Sequence, residues 1–233
     1  MIPRTLHYVL TAAAMLAFSS AAWAQSKGSP WQEEFAISNC NLLTTGRNQY
    51  FVLEPGFQLI LEGSDTKLQV TVLDETKKID GVVTRVVEER EWKDGQLYEV
   101  SRNYFAICEQ TKDVFYFGED VDFYRNGTVV KHDGSWLAGT NGNRAGLMMP
   151  GTPKLKMKYY QEIAPGVAMD RAEIVSLDEI CKTPAGTFPG CLKVKEGSAI
   201  EIFAKEYKYH APGIGLVRDE DLRLIKYGFI KDK

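Results

Sequence analysis

Turn dipeptides constrain this chain more than any other feature of its sequence. From Tyr50 onward, runs rich in Val, Ile, Thr, Tyr and Phe are cut by residue pairs that suit tight turns. Asp94-Gly95 separates residues 82–92 from 97–108, and Asn126-Gly127 separates 114–124 from 128–132. Both pairs match the two-residue hairpin turn, which needs positive φ at both positions. A second device is Pro-Gly, where Pro presets φ and Gly accepts a positive one, as a type II turn requires. It occurs in Glu54-Pro55-Gly56 and again in an internal echo: Tyr160-Gln161-Glu162-Ile163-Ala164-Pro165-Gly166-Val167 matches Tyr207-Lys208-Tyr209-His210-Ala211-Pro212-Gly213-Ile214, with Arg171 and Arg218 at the same offset. Few segments carry helical periodicity. The expectation is an all-β chain whose long antiparallel strands form a curled sheet or incomplete β-barrel.

The hairpins predict which side chains share a face. A two-residue loop at Asp94-Gly95 sets Lys93 opposite Gln96, Arg90 opposite Glu99 and Glu89 opposite Val100. Alternation then gathers Val83, Arg85, Val87, Glu89, Tyr98, Val100, Arg102 and Tyr104 on one side. In the next strand Phe115, Phe117, Val121 and Phe123 share a face with Glu119, while Tyr116, Asp120, Asp122 and Tyr124 share the other. A carboxylate in an apolar row must be paired, hydrogen-bonded or protonated. Arg85, Arg102 or Arg171 is the expected partner of Glu119.

The first 24 residues read as a signal peptide: Arg4, a short apolar run over residues 8–18, and Ala22-Trp23-Ala24 before the cut. That run is far below the roughly 20 residues that span a bilayer, and no later segment qualifies, so the mature chain is expected to lack a transmembrane segment. Gln25, not Cys, follows the cut, which disfavours a lipid anchor there. The expected location is the periplasm or the secreted fraction. Residues 25–49 are assigned as a leader and first disulfide segment, with a loose start over 25–32, and residues 50–233 as a single β domain. Loss of Arg4 takes the formal net charge from −3 to −4, and without a clustered basic surface no nucleic-acid partner is expected. Cys40, Cys108, Cys181 and Cys191 make an even count in an exported chain, which argues for two disulfides. Cys181 and Cys191 flank a turn-rich loop and are paired on that ground, which leaves Cys40 with Cys108.

No motif fixes a reaction. A Gly-x-Ser-x-Gly elbow, a phosphate-cradling glycine loop and a His-Glu-x-x-His spacing are all missing, and past the leader only His132 and His210 remain. Glu119, Asp120 and Glu173 are the candidates for acid/base chemistry. With Asp122 and Asp170 they are also candidates for hard oxygen ligation of calcium. Met148, Met149, Met157 and Met169 are the soft ligands that copper would use. Tyr104, Tyr116, Trp136, Tyr159, Tyr160 and Met149 are the candidate ligand-binding residues, because aromatics with polar handles line apolar cavities. The polar stretch over residues 134–146 reads as a mobile loop leading into Met148-Met149-Pro150-Gly151-Thr152-Pro153.

In order, Tyr-Phe-Gly-Glu-Asp (116–120), Gly-Ser-Trp (134–136), Met-Pro-Gly-Thr-Pro (149–153), Tyr-Tyr-Gln-Glu (159–162), Ala-Gly-Thr-Phe (185–188) and Tyr-x-Ala-Pro-Gly-x-Gly-Leu-Val (209–217) resemble a widespread group of exported bacterial proteins whose biochemical role is unassigned. The closing segment is also similar to periplasmic half-barrels of the lipoprotein-carrier type, a resemblance that implies a curled sheet with a concave apolar face. The expected role is non-enzymatic: binding an apolar or amphipathic small molecule, or docking an envelope partner, through the concave face and residues 134–153, with no cofactor. The alternatives are an enzyme using the acid/base carboxylates and a calcium- or copper-binding protein.

Overall fold

The computed structural model describes residues 30–201 and 203–230, so the signal peptide expected over residues 1–24 lies outside the described residues. A 3-10 turn at Ile37–Asn39 precedes three short strands, β1 (Leu42–Leu43), β2 (Gly46–Asn48) and β3 (Phe51–Leu53). A long meander follows: β4 (Phe57–Glu62), β5 (Thr66–Ile79), β6 (Val82–Lys93), β7 (Gln96–Cys108) and β8 (Val114–Arg125). Two short strands, β9 (Thr128–Lys131) and β10 (Trp136–Leu137), fold back on β8 before β11 (Arg144–Met149) pairs beside it. The second half comprises β12 (Lys158–Tyr160), β13 (Glu162–Ile163), β14 (Asp170–Thr183), β15 (Gly186–Ser198), β16 (Lys205–Ala211), β17 (Gly215–Asp219) and β18 (Leu222–Phe229).

Two joints roll this meander into a nearly closed antiparallel barrel. The last strand, β18, pairs with β4 and so brings the end of the domain back to its beginning. At the other seam β12 hydrogen-bonds β14 while β13 hydrogen-bonds β11, so one short stretch with only Gln161 between its halves spans the gap. Rolling satisfies backbone groups that sheet edges would leave unpaired.

The turn residues act as their chemistry requires. Asp94-Gly95 and Asn126-Gly127 have φ of 49°, 74°, 52° and 76°, and the central glycines of the Pro-Gly turns, Gly56, Gly166 and Gly213, have φ of 82°, 80° and 73°. Lys93 lies opposite Gln96 as the two-residue loop demands. Past that point the expected register fails. Tyr98 is an extra residue, a β-bulge between Leu97, opposite Trp92, and Glu99, opposite Glu91. Arg90 therefore faces Val100 and Glu89 faces Ser101. A one-residue slip exchanges the two faces of a strand, so Glu99, Ser101, Asn103 and Phe105 turn into the barrel with Val87 and Glu89.

A second bulge does the same to β8. Phe105 pairs with Tyr116 and Asn103 with Glu119, which leaves Phe117 and Gly118 opposite Tyr104 alone. Tyr116 thereby joins Glu119 inside, whereas alternation placed it on the opposite face. The mobile loop expected over residues 134–146 is instead tied down. β10 pairs with β8, and both Thr140 Oγ1 and Asn143 Nδ2 donate to the Leu137 carbonyl.

One end of the barrel is plugged. The β2–β3 hairpin lies across it, with Asn48 Nδ2 donating to the carbonyls of Lys112 and Pro150, Tyr50 Oη to that of Gly190, and Gly213 N to that of Gln49. The Cys40–Cys108 disulfide ties the entering chain to the same end. Cys181 and Cys191 are brought together on adjacent strands, as expected, but as two buried thiols in hydrogen-bonding contact. The start of the described chain is also docked: Gln32 exchanges backbone hydrogen bonds with Lys158 and Tyr160.

Gly118 adopts φ of 130° within the second bulge, and a Cβ there would collide with the Trp136 backbone. Gly118→Ala is expected to destabilise the fold by about 1–3 kcal/mol, read as a lowered midpoint in chemical denaturation, while Gly127→Ala, whose Cβ meets open space, is expected to cost less.

Candidate functional site

The barrel interior holds a cavity of about 360 Å³. Its wall changes character along the barrel axis. Toward the plugged end it is apolar: Phe51, Phe57, Leu59, Val72 and Phe105 lie there. Toward the open end, where the turns at Asp94-Gly95 and Glu220-Asp221 lie, it is acidic: Glu89, Glu99, Glu119, Glu162, Asp170, Glu196 and Asp219 face the space, with Lys208 and His210 among them. The change is written into individual strands. On β7 the inward residues run Phe105, Asn103, Ser101, Glu99 from floor to mouth, and on β6 Val87 is followed by Glu89.

One basic residue sits inside this acidic ring. Lys208 Nζ lies 2.9 Å from Glu196, 3.0 Å from Glu206 and 3.9 Å from Asp219. Burial opposes charge on Glu196, yet Lys208 and a hydrogen bond from Gln161 Nε2 at 2.9 Å hold it below the usual carboxylate range. Burial likewise opposes charge on Lys208, but the surrounding carboxylates raise its pKa well above the ordinary lysine value. Among the described residues, Glu89, Glu99 and Glu162 have no ion-pair partner. Burial lifts Glu89 to about 7. Burial, reinforced by Glu89, lifts Glu119 to about 8. Burial lifts Glu162 well above its ordinary value, with Glu119 adding to the effect, and takes Asp219 to about 6.

Glu119 does not find the arginine expected of it. Arg85 is held at Thr44, Leu73 and Asp74, Arg102 at Glu75 and Glu88, and Arg171 stacks on Trp31 at 4.5 Å. Its close polar neighbour is instead Tyr116, whose hydroxyl also donates to Asn103 Oδ1 at 2.5 Å. The three carboxylates considered for acid/base chemistry are not brought together. Asp120 is on the outer face, bound by Lys77 Nζ at 2.7 Å and Tyr104 Oη at 2.5 Å, and Glu173 is outside beside Lys158 at 3.7 Å. Glu119 alone of them faces the cavity.

Of the candidate ligand-binding residues, Tyr116 lines the cavity and the others are placed elsewhere. Tyr104 belongs to the outer Asp120 cluster, and Tyr160 packs against Trp31. Trp136, Tyr159 and Met149 are buried in the core, with the Trp136 Nε1 and the Tyr159 hydroxyl lacking partners among the described residues. Met148, the strand neighbour of Met149, points the other way and does line the cavity. Among the described residues no group of three or more His, Cys, Asp or Glu side chains is disposed to hold a metal ion, and no helix is long and apolar enough to cross a membrane. Glu99, Glu162, Glu196, Lys208 and Asp219 are not among the candidates that the sequence offers, and Glu89 enters there only as the carboxylate on the Val83–Tyr104 face of the hairpin. The one signal that could have found some of them is the echo, since Gln161-Glu162 and Lys208 to His210 occupy corresponding stretches before the two Ala-Pro-Gly turns.

Compared with family models, with curated proteins and with solved structures, the chain matches none of them.

The raised carboxyl pKa values have a signed consequence. A group that binds its proton more tightly in the folded state stabilises the fold at low pH, and that contribution is lost as pH rises through the folded value. His210 works in the opposite direction, because burial pushes it down to about 4, but above about pH 6.5 it is neutral folded or unfolded. From about pH 6.5 to 8.5 the melting temperature is therefore expected to fall, and Glu119→Gln is expected to flatten the slope and raise the melting temperature at the alkaline end. A wild-type melting temperature that climbs across this window would contradict the assignment.

Proposed function

We propose that this chain is an exported, non-enzymatic binding protein that takes a small amphipathic molecule into the barrel. The observation that carries the reading is the axial division of the cavity, an apolar floor beneath a polar and acidic mouth. A ligand with an apolar tail and a polar head would bury the tail against Phe51, Phe57 and Phe105, gaining about 25 cal/mol per Å² of apolar surface removed from water. Its head would meet hydrogen-bonding and charged groups at the level of Ser101, Gln161 and Glu119. The cavity falls within the roughly 300–1,000 Å³ typical of small-molecule sites.

Three further points support this reading. The sequence resemblance to carrier-type half-barrels implies a curled sheet with a concave apolar face, which suits this reading. A leader peptide and the Cys40–Cys108 disulfide suit an oxidising compartment outside the cytoplasm, so the proposed location is the periplasm or the secreted fraction. Separation of Glu119 from Asp120 and Glu173 leaves the acid/base alternative without its proposed catalytic set.

The neutral dye N-phenyl-1-naphthylamine tests the site, since its fluorescence rises on entering an apolar cavity. The wild-type chain is expected to bind it, and Ser101→Trp, which places an indole across the middle of the cavity, is expected to weaken binding by at least about tenfold with the melting temperature largely retained. A wild-type protein that leaves the dye unbound, or a Ser101→Trp variant that binds it equally well, would remove the proposal.

A further inference from the structure

The acidic half of the cavity is more specific than a generic polar mouth. We infer that it is a subsite for a positively charged organic head group, an ammonium or guanidinium carried on an apolar tail; this rests on the cavity being a binding site, as proposed above. Among the described residues, seven carboxyl groups from seven strands face one space against a single lysine. Lys208 is committed to Glu196 and Glu206 at 2.9 and 3.0 Å and to Asp219 at 3.9 Å. Glu89 on β6, Glu99 on β7, Glu119 on β8, Glu162 on β13 and Asp170 on β14 are left without a basic partner among the described residues, each directed at the same volume.

An independent group points to the same place. His210 on β16 lines the cavity, is 8% exposed, and has both ring nitrogens buried without a hydrogen-bond partner among the described residues. A buried polar group left unsatisfied costs about 1–3 kcal/mol. A neutral imidazole supplies an acceptor, and an ammonium or guanidinium supplies the N–H donors that the carboxylates and this acceptor lack. An anionic head would meet like charge from most of the wall. A bare metal ion is a poorer fit, because the carboxylates belong to staves all round the barrel and no group of them is disposed for coordination.

Charge chemistry adds a linked proton. Empty, the cavity lowers its own repulsion by keeping protons on Glu89 and Glu119, whose values lie at about 7 and about 8. A bound cation stabilises the ionised forms and expels those protons, so its affinity must rise with pH across this range. The groups that share the space, Tyr116, Glu99, Glu162, Asp170, Glu196, Lys208, His210 and Asp219, act on the same charge balance.

Calorimetry with three probes of equal chain length, n-octylammonium, n-octanamide and n-octanoate, decides the matter on the purified chain. At about pH 8.5 the ammonium is expected to bind at least about tenfold more tightly than the amide, and the octanoate most weakly. Ammonium affinity should weaken on going to about pH 6, with proton release visible as a dependence of the heat on buffer ionisation. Glu119→Gln combined with Glu162→Gln should remove the preference for the ammonium over the amide, with a retained cooperative thermal melt as the control that the variant is folded; a preference that persists in the folded variant overturns the head-group inference. Equal or tighter binding of the amide or the octanoate by the wild-type chain overturns the head-group inference while the cavity reading survives. Failure of all three probes to bind overturns both.

Discussion

Closure of the sheet on itself is the constraint from which the rest of this structure follows. A long antiparallel meander has two edges, and an exposed edge invites pairing with another chain. Here β18 meets β4, and the stretch holding β12 and β13 bridges β14 to β11. Backbone pairing is thereby nearly complete, but an interior has been created whose width depends on the number of staves. An eight-stranded barrel is just wide enough for its own side chains to fill or to hold one small ligand. The thirteen strands along this sheet, with β12 and β13 sharing one stave, leave space that side chains alone do not fill.

The plug and the acidic mouth are two answers to that space. At one end the β2–β3 hairpin inserts Phe51 and Val52 and is held by the side chains of Asn48 and Tyr50 and the Gln49 carbonyl, and the Cys40–Cys108 link keeps that segment near the barrel. At the other end the inward residues become polar at a common depth. Buried carboxylates are costly to ionise, which is why their proton affinities rise, and the charge on half-buried Lys208 is sustained by Glu196, Asp219 and Glu206. Charge and burial thus oppose each other at the mouth, and a cationic occupant would relieve both.

Bulges decide which residues take part. Tyr98 and the Phe117-Gly118 pair each add a residue to one strand only, and each exchanges inner for outer side chains from that point on. Without them Arg102 and Tyr104 would face the cavity. With them Arg102 pairs with outer carboxylates, Tyr104 caps Asp120, and the interior receives Glu99, Ser101, Asn103 and Tyr116. The acidity of the mouth is a consequence of two local irregularities as much as of composition.

Local chemistry was enough to read the class of fold. Asp-Gly, Asn-Gly and Pro-Gly pairs demand positive φ whatever the surroundings, so the hairpins, the antiparallel meander, the Cys40–Cys108 pairing and the proximity of Cys181 and Cys191 were legible in the sequence. So was the anomaly of Glu119 in an apolar row. What only the tertiary structure decided was the side to which each residue points and which distant residues meet. Side-chain parity is a sum over every bulge in a strand, and a bulge is set by pairing with a neighbour, not by its own residues alone. Convergence of Glu89, Glu162, Glu196 and Asp219 on one cavity depends on rolling the sheet, which brings into one ring residues more than a hundred positions apart.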